Sequence, residues 1–217
     1  MTTETARYRA DGFIALAGLF PPEVLLAFYG RMEADMKAAG RPLNSFMTSG
    51  PLLTRPAIEI HAHQYAPMAT FLWGLTPRIA QAAGCELLPT YAYFRAYQAG
   101  DICRVHADRL ACEHSLSLTI AYGDGKSWPL CVSRERSEQP GGPVADDFAG
   151  ADFGSVAMQP GDGLLYQGTH HRHGRLTPNP NSWSAHLFLH WVEKGGRYAE
   201  QAFEGPALAR AAGRKAL

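Results

Sequence analysis

The residues with the clearest chemical potential lie in Tyr93–Ile120, YFRAYQAGDICRVHADRLACEHSLSLTI. His106 and Asp108 stand one residue apart there, between a turn at Ala99-Gly100 and an alternating apolar run. On an extended chain residues i and i+2 share a face, about 7 Å apart. An imidazole and a carboxylate so placed can converge on one cation. A third ligand from a later strand would complete the 2-His-1-carboxylate set that holds non-haem Fe(II) with open positions. Alone the pair is a weak signal, since in a chain with nine histidines about 0.4 such pairs arise by chance.

The third ligand has candidates in Thr169-His170-His171-Arg172-His173-Gly174-Arg175, which follows PGDGLLYQG. The Pro160-Gly161-Asp162 turn and its apolar strand would aim this cluster at a fixed place, but spacing does not choose among the three histidines. His61 and His63 also share a face if extended, and read as loop or core histidines. Arg104 and Arg109 near the pair, and Arg134, Glu135 and Arg136 further on, could recognise a polar substrate group or be ordinary surface charges.

A chain of 217 residues suits one domain with a real core. Hydrophobic residues make up 46%, and 20 basic residues match 20 acidic ones. No global charge pulls it toward nucleic acid or anionic lipid, so a small-molecule substrate is expected. The N-terminus lacks the charge and hydropathy of a signal peptide, and no apolar run approaches a membrane span of ~18 residues. Cys85, Cys103, Cys112 and Cys131 are widely spaced, so free thiols and a cytoplasmic location are expected.

Positioning these residues requires a scaffold. Asp11–Phe20 reads as a strand or extended lead-in. Pro21-Pro22 opens a helix carrying Val24, Leu25, Phe28 and Met32 toward a stop at Gly40. Residues 41–57 read as loop and 68–75 as a second helix. Thr76-Pro77 then looks like the cap and first turn of a short helix ending near Gly84. From Glu86 the segments shorten. Leu116, Leu118 and Ile120 alternate with Ser115, Ser117 and Thr119, the period of a half-buried strand. Residues 128–132, 155–159, 163–167, 169–173 and 183–192 continue the series. Helices followed by many short strands predict an α+β fold with a barrel or jelly-roll core. Ser133–Gly154 interrupts it as a polar insertion, either a lid or a solvated loop. The expected division is a mainly helical flank over 1–85, a core over 86–192 and a tail over 193–217, of which Pro206–Leu217 reads as a short helix or a frayed end.

ELLPTYAYFRAYQAGDICRVHADRLACEHSLSLTIAY, Trp128-Pro129-Leu130 and PGDGLLYQGTHHRHGR followed by HLFLHW together resemble the Fe(II)/2-oxoglutarate-dependent dioxygenases. The likeness is to small bacterial members related to prolyl-hydroxylase and phytanoyl-hydroxylase enzymes, and covers about residues 11–192 apart from the insertion. It implies a double-stranded β-helix (jelly-roll) core with flanking N-terminal helices. It also implies His106, Asp108 and His173 as iron ligands and Tyr97 as a contact of 2-oxoglutarate. The implied chemistry is O2-dependent decarboxylation of 2-oxoglutarate to succinate and CO2 with hydroxylation of a small organic substrate. With Asp108 present as a carboxylate, halogenation is disfavoured. One feature departs from the pattern. Where relatives place an Arg or Lys for the distal carboxylate of 2-oxoglutarate, this chain has Ser182, Trp183 and Ser184. Arg175 is the first-choice substitute, for its planar fork, with Arg95 or a charged His186 behind it; Ser184 and His186 would share a face of the last strand. The departure leaves open a cupin-like metalloenzyme that does not use 2-oxoglutarate, or a non-catalytic metal- or ligand-binding jelly roll.

Overall fold

The computed structural model describes residues 2–138 and 140–204; the tail expected over 206–217 lies outside them. In chain order the elements are α1 (Thr3–Asp11), β1 (Phe13–Leu16), α2 (Pro22–Ala38), β2 (Met47–Thr48), β3 (Ala57–His61) and α3 (Met68–Ala83). There follow β4 (Leu87–Gln98), β5 (Cys103–His106), β6 (His114–Tyr122), β7 (Leu130–Arg136), β8 (Phe153–Val156), β9 (Gly163–Tyr166), β10 (His171–Arg175) and β11 (Trp183–Glu193). They form a seven-stranded sheet, β1-β9-β6-β11-β4-β3-β2, and a four-stranded sheet, β5-β10-β7-β8. Every strand pair is antiparallel.

The helices cover the outer face of the larger sheet. Leu25 and Met32 of α2, and Leu72 and Ile79 of α3, pack with Phe94, Leu116, Leu118, Leu187 and Leu189 in one buried cluster. Full burial of each such side chain is worth about 1.5–3 kcal/mol. The helix start at Pro22 is as expected, with Glu23 in the first turn. α1 has no counterpart in the sequence reading, because its apolar stripe is too thin to show. Its N-cap Thr2 accepts from Thr5 N, and Tyr8 is buried 2.7 Å from His114 Nδ1.

Three expectations change. The two helices expected around Thr76-Pro77 are one, α3, with Pro77 inside it. Pro77 gives up a backbone donor, but Thr76 Oγ1 bonds the Leu72 carbonyl and also accepts from Trp191 Nε1, both at 2.8 Å. Tertiary packing overrides the break. Besides β1, which lies in the strand expected within Asp11–Phe20, the helical flank also supplies β2 and β3 to the larger sheet. The polar insertion is shorter than expected, because β7 runs to Arg136 and β8 begins at Phe153. What remains is pinned by buried Phe148, which packs with Val105 and Cys131, and by an Ala145–Val105 bridge.

A fourth difference concerns β6, which is buried along its whole length. Its alternation is as expected, with Leu116, Leu118 and Ile120 facing the helices. The Ser115, Ser117 and Thr119 face is equally buried, and points between the two sheets. A polar strand face in the interior marks a site.

Candidate metal centre

His106 ends β5 and His173 lies directly opposite it in β10. Asp108 follows β5, its N–H bonded to the Gly168 carbonyl at 2.8 Å. Asp108 Oδ1 lies 3.6 Å from His106 Nε2 and 3.5 Å from His173 Nε2. One ligand atom from each of the three residues falls within 4.8 Å of the others. Both imidazoles are oriented from behind. His106 Nδ1 meets the Arg104 carbonyl at 2.8 Å, and His173 Nδ1 meets the His171 carbonyl at 2.9 Å. Each Nδ1 therefore carries the proton and each Nε2 presents its lone pair, the second-sphere arrangement that prepares a metal ligand. With no ion present, burial works against the charged form of His173, but Asp108 outweighs it and raises its pKa. Asp108 itself is pushed up by burial and pulled further down by the two histidines, ending well below the carboxylate range.

The other two histidines of the cluster point elsewhere. His171 Nδ1 bonds the Ser133 carbonyl and its ring fills the space over Gly12. His170 meets the Ser137 carbonyl and Tyr198 Oη. A register irregularity in β10 between His171 and His173 separates them despite their i, i+2 spacing. His61 and His63 stack on each other, and His61 bonds Glu59 at the rim.

Two glycines that spacing did not flag are needed for this approach. A Cβ on Gly168 would strike Asp108 Oδ2, and one on Gly174 would press the β5 backbone at 2.8 Å from the Cys103 carbonyl. Ser115 also escaped notice; its Oγ donates to Asp108 Oδ2 at 3.2 Å.

A cavity of about 470 Å³ opens onto the triad, lined among others by Tyr91, Tyr93, Arg95, Asp108, Arg109 and Val144. From the triad a polar strip runs inward along the facing strands. β11 pairs place His190 beside Ser115, Phe188 between Ser117 and Tyr93, and His186 between Thr119 and Arg95. Ser117 Oγ, Thr119 Oγ1 and His186 Nε2 are buried on it with no hydrogen-bond partner among the described residues. Such atoms are costly unless something else satisfies them.

Arg175, two residues beyond His173, reaches this strip. It is 1% exposed, donates to the Trp128 carbonyl, lies 3.4 Å from His186 Nδ1 and stacks on Trp128. Among the described residues no carboxylate forms an ion pair with it. Arg95 differs, since Glu59 holds it at 2.6 and 3.0 Å. Burial pushes Glu59 up, but His61 and Arg95 outweigh that and hold it at about 2. Tyr97 lies between the two arginines, with Arg95 Nη1 donating to its hydroxyl at 3.4 Å. Burial pushes its pKa up to about 12, so it remains a phenol. The expectation of a charged His186 is not met, because burial, then Arg175 and Arg95, hold the ring neutral. Ser184 Oγ donates to Asn179 Oδ1 and accepts from Asn181 Nδ2, so its hydrogen bonds go to the 179–181 turn.

No family model and no curated protein matches this chain. Solved structures do. The α-ketoglutarate-dependent carbocyclase SnoK from nogalamycin biosynthesis aligns with a TM-score of 0.71 at 11% identity, over 97% of this chain and 90% of its own. A Pseudomonas putida prolyl-4-hydroxylase aligns at 0.56 and 14%, over 86% and 96%. EctD from S. alaskensis with bound Fe aligns at 0.57 and 16%, over 91% and 78%. The chain shares their fold. In this chain the interior face carrying His106, Asp108 and His173 is set in that shared fold. All four cysteines are free, and no helix among the described residues is long and apolar enough to cross a membrane.

Proposed function

We propose that this chain is a non-haem Fe(II)/2-oxoglutarate-dependent oxygenase that hydroxylates a small organic substrate. Two facing imidazoles and a carboxylate at the mouth of a polar interior strip carry the reading. The consecutive strands β4 to β11 largely alternate between the two sheets, which supports a double-stranded β-helix, in one domain. The structure of SnoN that this chain resembles (TM-score 0.62, 14% identity, 87% of this chain and 82% of that one) is a complex with Fe3+ and α-ketoglutarate. The free thiols suit the cytoplasm.

In this reading His106, Asp108 and His173 hold Fe(II). Bound iron, 2-oxoglutarate and O2 together supply oxidative decarboxylation to succinate and CO2, coupled to oxidation of a substrate C–H bond. The protein's own residues do the positioning. The Arg104 and His171 carbonyls keep the imidazoles in their ligating tautomer. Ser115 steadies Asp108 through Oδ2 and leaves Oδ1 for the metal. Arg175 pairs the distal carboxylate of 2-oxoglutarate, because a buried guanidinium without a counter-ion is costly and a planar fork fits a carboxylate. Arg95 already has Glu59. The Tyr97 phenol donates to the same anion, and Ser117, Thr119 and His186 offer it their unused polar atoms. Tyr91, Tyr93 and the 142–144 loop wall the substrate side and restrict water.

Anaerobic addition of Fe(II) and 2-oxoglutarate should give the weak visible charge-transfer band of the chelate, and admitting O2 should then release succinate. Stoichiometric metal with neither band nor succinate would overturn the reading in favour of a metalloenzyme that does not use 2-oxoglutarate.

A further inference from the structure

Beside the triad lies a second set of ligand types. Asp108, Cys112 and His190 each offer one ligand atom within 4.8 Å of the others. The two oxygens of Asp108 face different ways. Oδ1 meets the Nε2 atoms of His106 and His173, whereas Oδ2 meets Ser115 Oγ at 3.2 Å. Ser115 Oγ is also 2.9 Å from His190 Nδ1. Ser115 Oγ, which also reaches the Cys112 carbonyl at 3.3 Å, can donate to Asp108 and accept from His190 Nδ1, and in that tautomer Nε2 keeps a bare lone pair. That Nε2 is buried and has no hydrogen-bond partner among the described residues. A buried thiol hydrogen-bonded to a phenol is ordinary packing. An imidazole with an orphaned nitrogen, one of whose ring nitrogens lies within 4.8 Å of a thiol sulfur and a carboxylate oxygen, is not.

We propose that Asp108, Cys112 and His190 form a second metal site, sharing its carboxylate with the first and taking a thiophilic divalent cation such as Zn2+. A thiolate, an imidazole and a carboxylate are a zinc donor set, while two imidazoles and a carboxylate with open positions suit Fe(II). Donor atoms around tetrahedral zinc stand roughly 3.5 Å apart. The three ligand atoms lie within 4.8 Å of one another, so closing takes rotations of Cys112 and Asp108, both of which line the cavity. Binding replaces the Sγ proton, which leaves to solvent, with no change of oxidation state. Tyr91 Oη, 3.1 Å from Sγ, can then donate to the thiolate, and Arg109 Nε lies 3.3 Å from that hydroxyl.

Co2+ is the probe, added to the metal-free full chain as a spectroscopic stand-in for Zn2+. A near-ultraviolet thiolate-to-Co2+ band should appear in the wild type. It should persist in the H106A/H173A double variant and vanish on addition of Zn2+. Cys112→Ser and Cys112→Ala, checked by circular dichroism, should both lack it. Identical near-ultraviolet spectra in wild type and either cysteine variant would overturn the site, as would a band that the double variant loses. If neither cysteine variant folds, X-ray absorption of the zinc-loaded double variant decides: one sulfur neighbour at about 2.3 Å is expected, and none overturns it. The site shares Asp108 with the proposed iron centre but not its cosubstrate. A missing Fe(II)/2-oxoglutarate band with an intact Co2+–thiolate band would therefore refute the oxygenase reading alone.

Discussion

Gly168 leaves the Asp108 carboxylate its place only because it has no side chain. In Gly168→Ala the new methyl group meets Oδ2, so Fe(II) affinity should fall at least tenfold while the circular dichroism spectrum stays native. His106→Ala and Asp108→Ala should weaken Fe(II) binding as sharply, whereas His170→Ala should not. Anaerobic metal titration checks all four, and unchanged affinity in His106→Ala and Asp108→Ala would remove the triad. Arg175→Ala should weaken 2-oxoglutarate binding by ten- to a hundredfold with Fe(II) affinity kept. Arg175→Lys should recover only part of it, because an ammonium cannot reproduce the fork. The same titration of Arg95→Ala should show the smaller loss if Glu59 already occupies that guanidinium. The cluster His170–His173 was visible in the sequence, but its spacing did not choose a ligand, and only the family resemblance pointed to His173. The irregularity in β10 that turns His171 away depends on pairing with β7 and β5.

At the scale of elements, β6 behaves as its alternation requires, yet the environment of its polar face is reversed. Period-2 patterning reports that two faces differ, not what each touches. The second sheet covers the Ser115–Thr119 face, which becomes the lining of the site. α1 is tied to that strand through Tyr8 and His114. Tyr8→Phe leaves His114 Nδ1 without its buried partner, which should cost about 1–3 kcal/mol in denaturant unfolding at pH 7. The 137–152 loop is held by Phe148 and contributes Gly142 and Val144 to the cavity wall. Phe148→Ala should speed limited proteolysis between Ser137 and Asp152 and leave the rest of the chain protected.

For the molecule as a whole, acid stability follows from buried neutral histidines. Burial, aided by Arg136, lowers His114 to about 4, and burial is the main cause that lowers His190 to about 3. The unfolded chain protonates both near pH 6.5, so between about 6.5 and 4 it binds more protons than the folded one. Acid therefore favours unfolding over that window, by roughly 1.4 kcal/mol per pH unit for each histidine. The metal-free protein should lose stability from pH 6.5 to 4.5, and His114→Gln should flatten that slope by one histidine's share, since His190 and the equally buried His186 also contribute. Equal slopes for the two proteins would show that His114 is not the group titrating.

What the sequence by itself determined is local: an HxD pair after a turn, a histidine cluster after a Gly-bounded strand, alternating strands behind a helical flank. These follow from side-chain period and turn chemistry, which act over a few residues. Only the tertiary structure showed that His173, the ligand the resemblance implied, faces His106 and Asp108, that Pro77 lies inside a helix, and that among the described residues the buried Arg175 has no carboxylate partner. Each depends on what a distant strand presents. β10 sets His173 against His106, Trp191 holds Thr76, and Glu59 of β3 neutralises Arg95 and leaves Arg175 as the free charge on the strip.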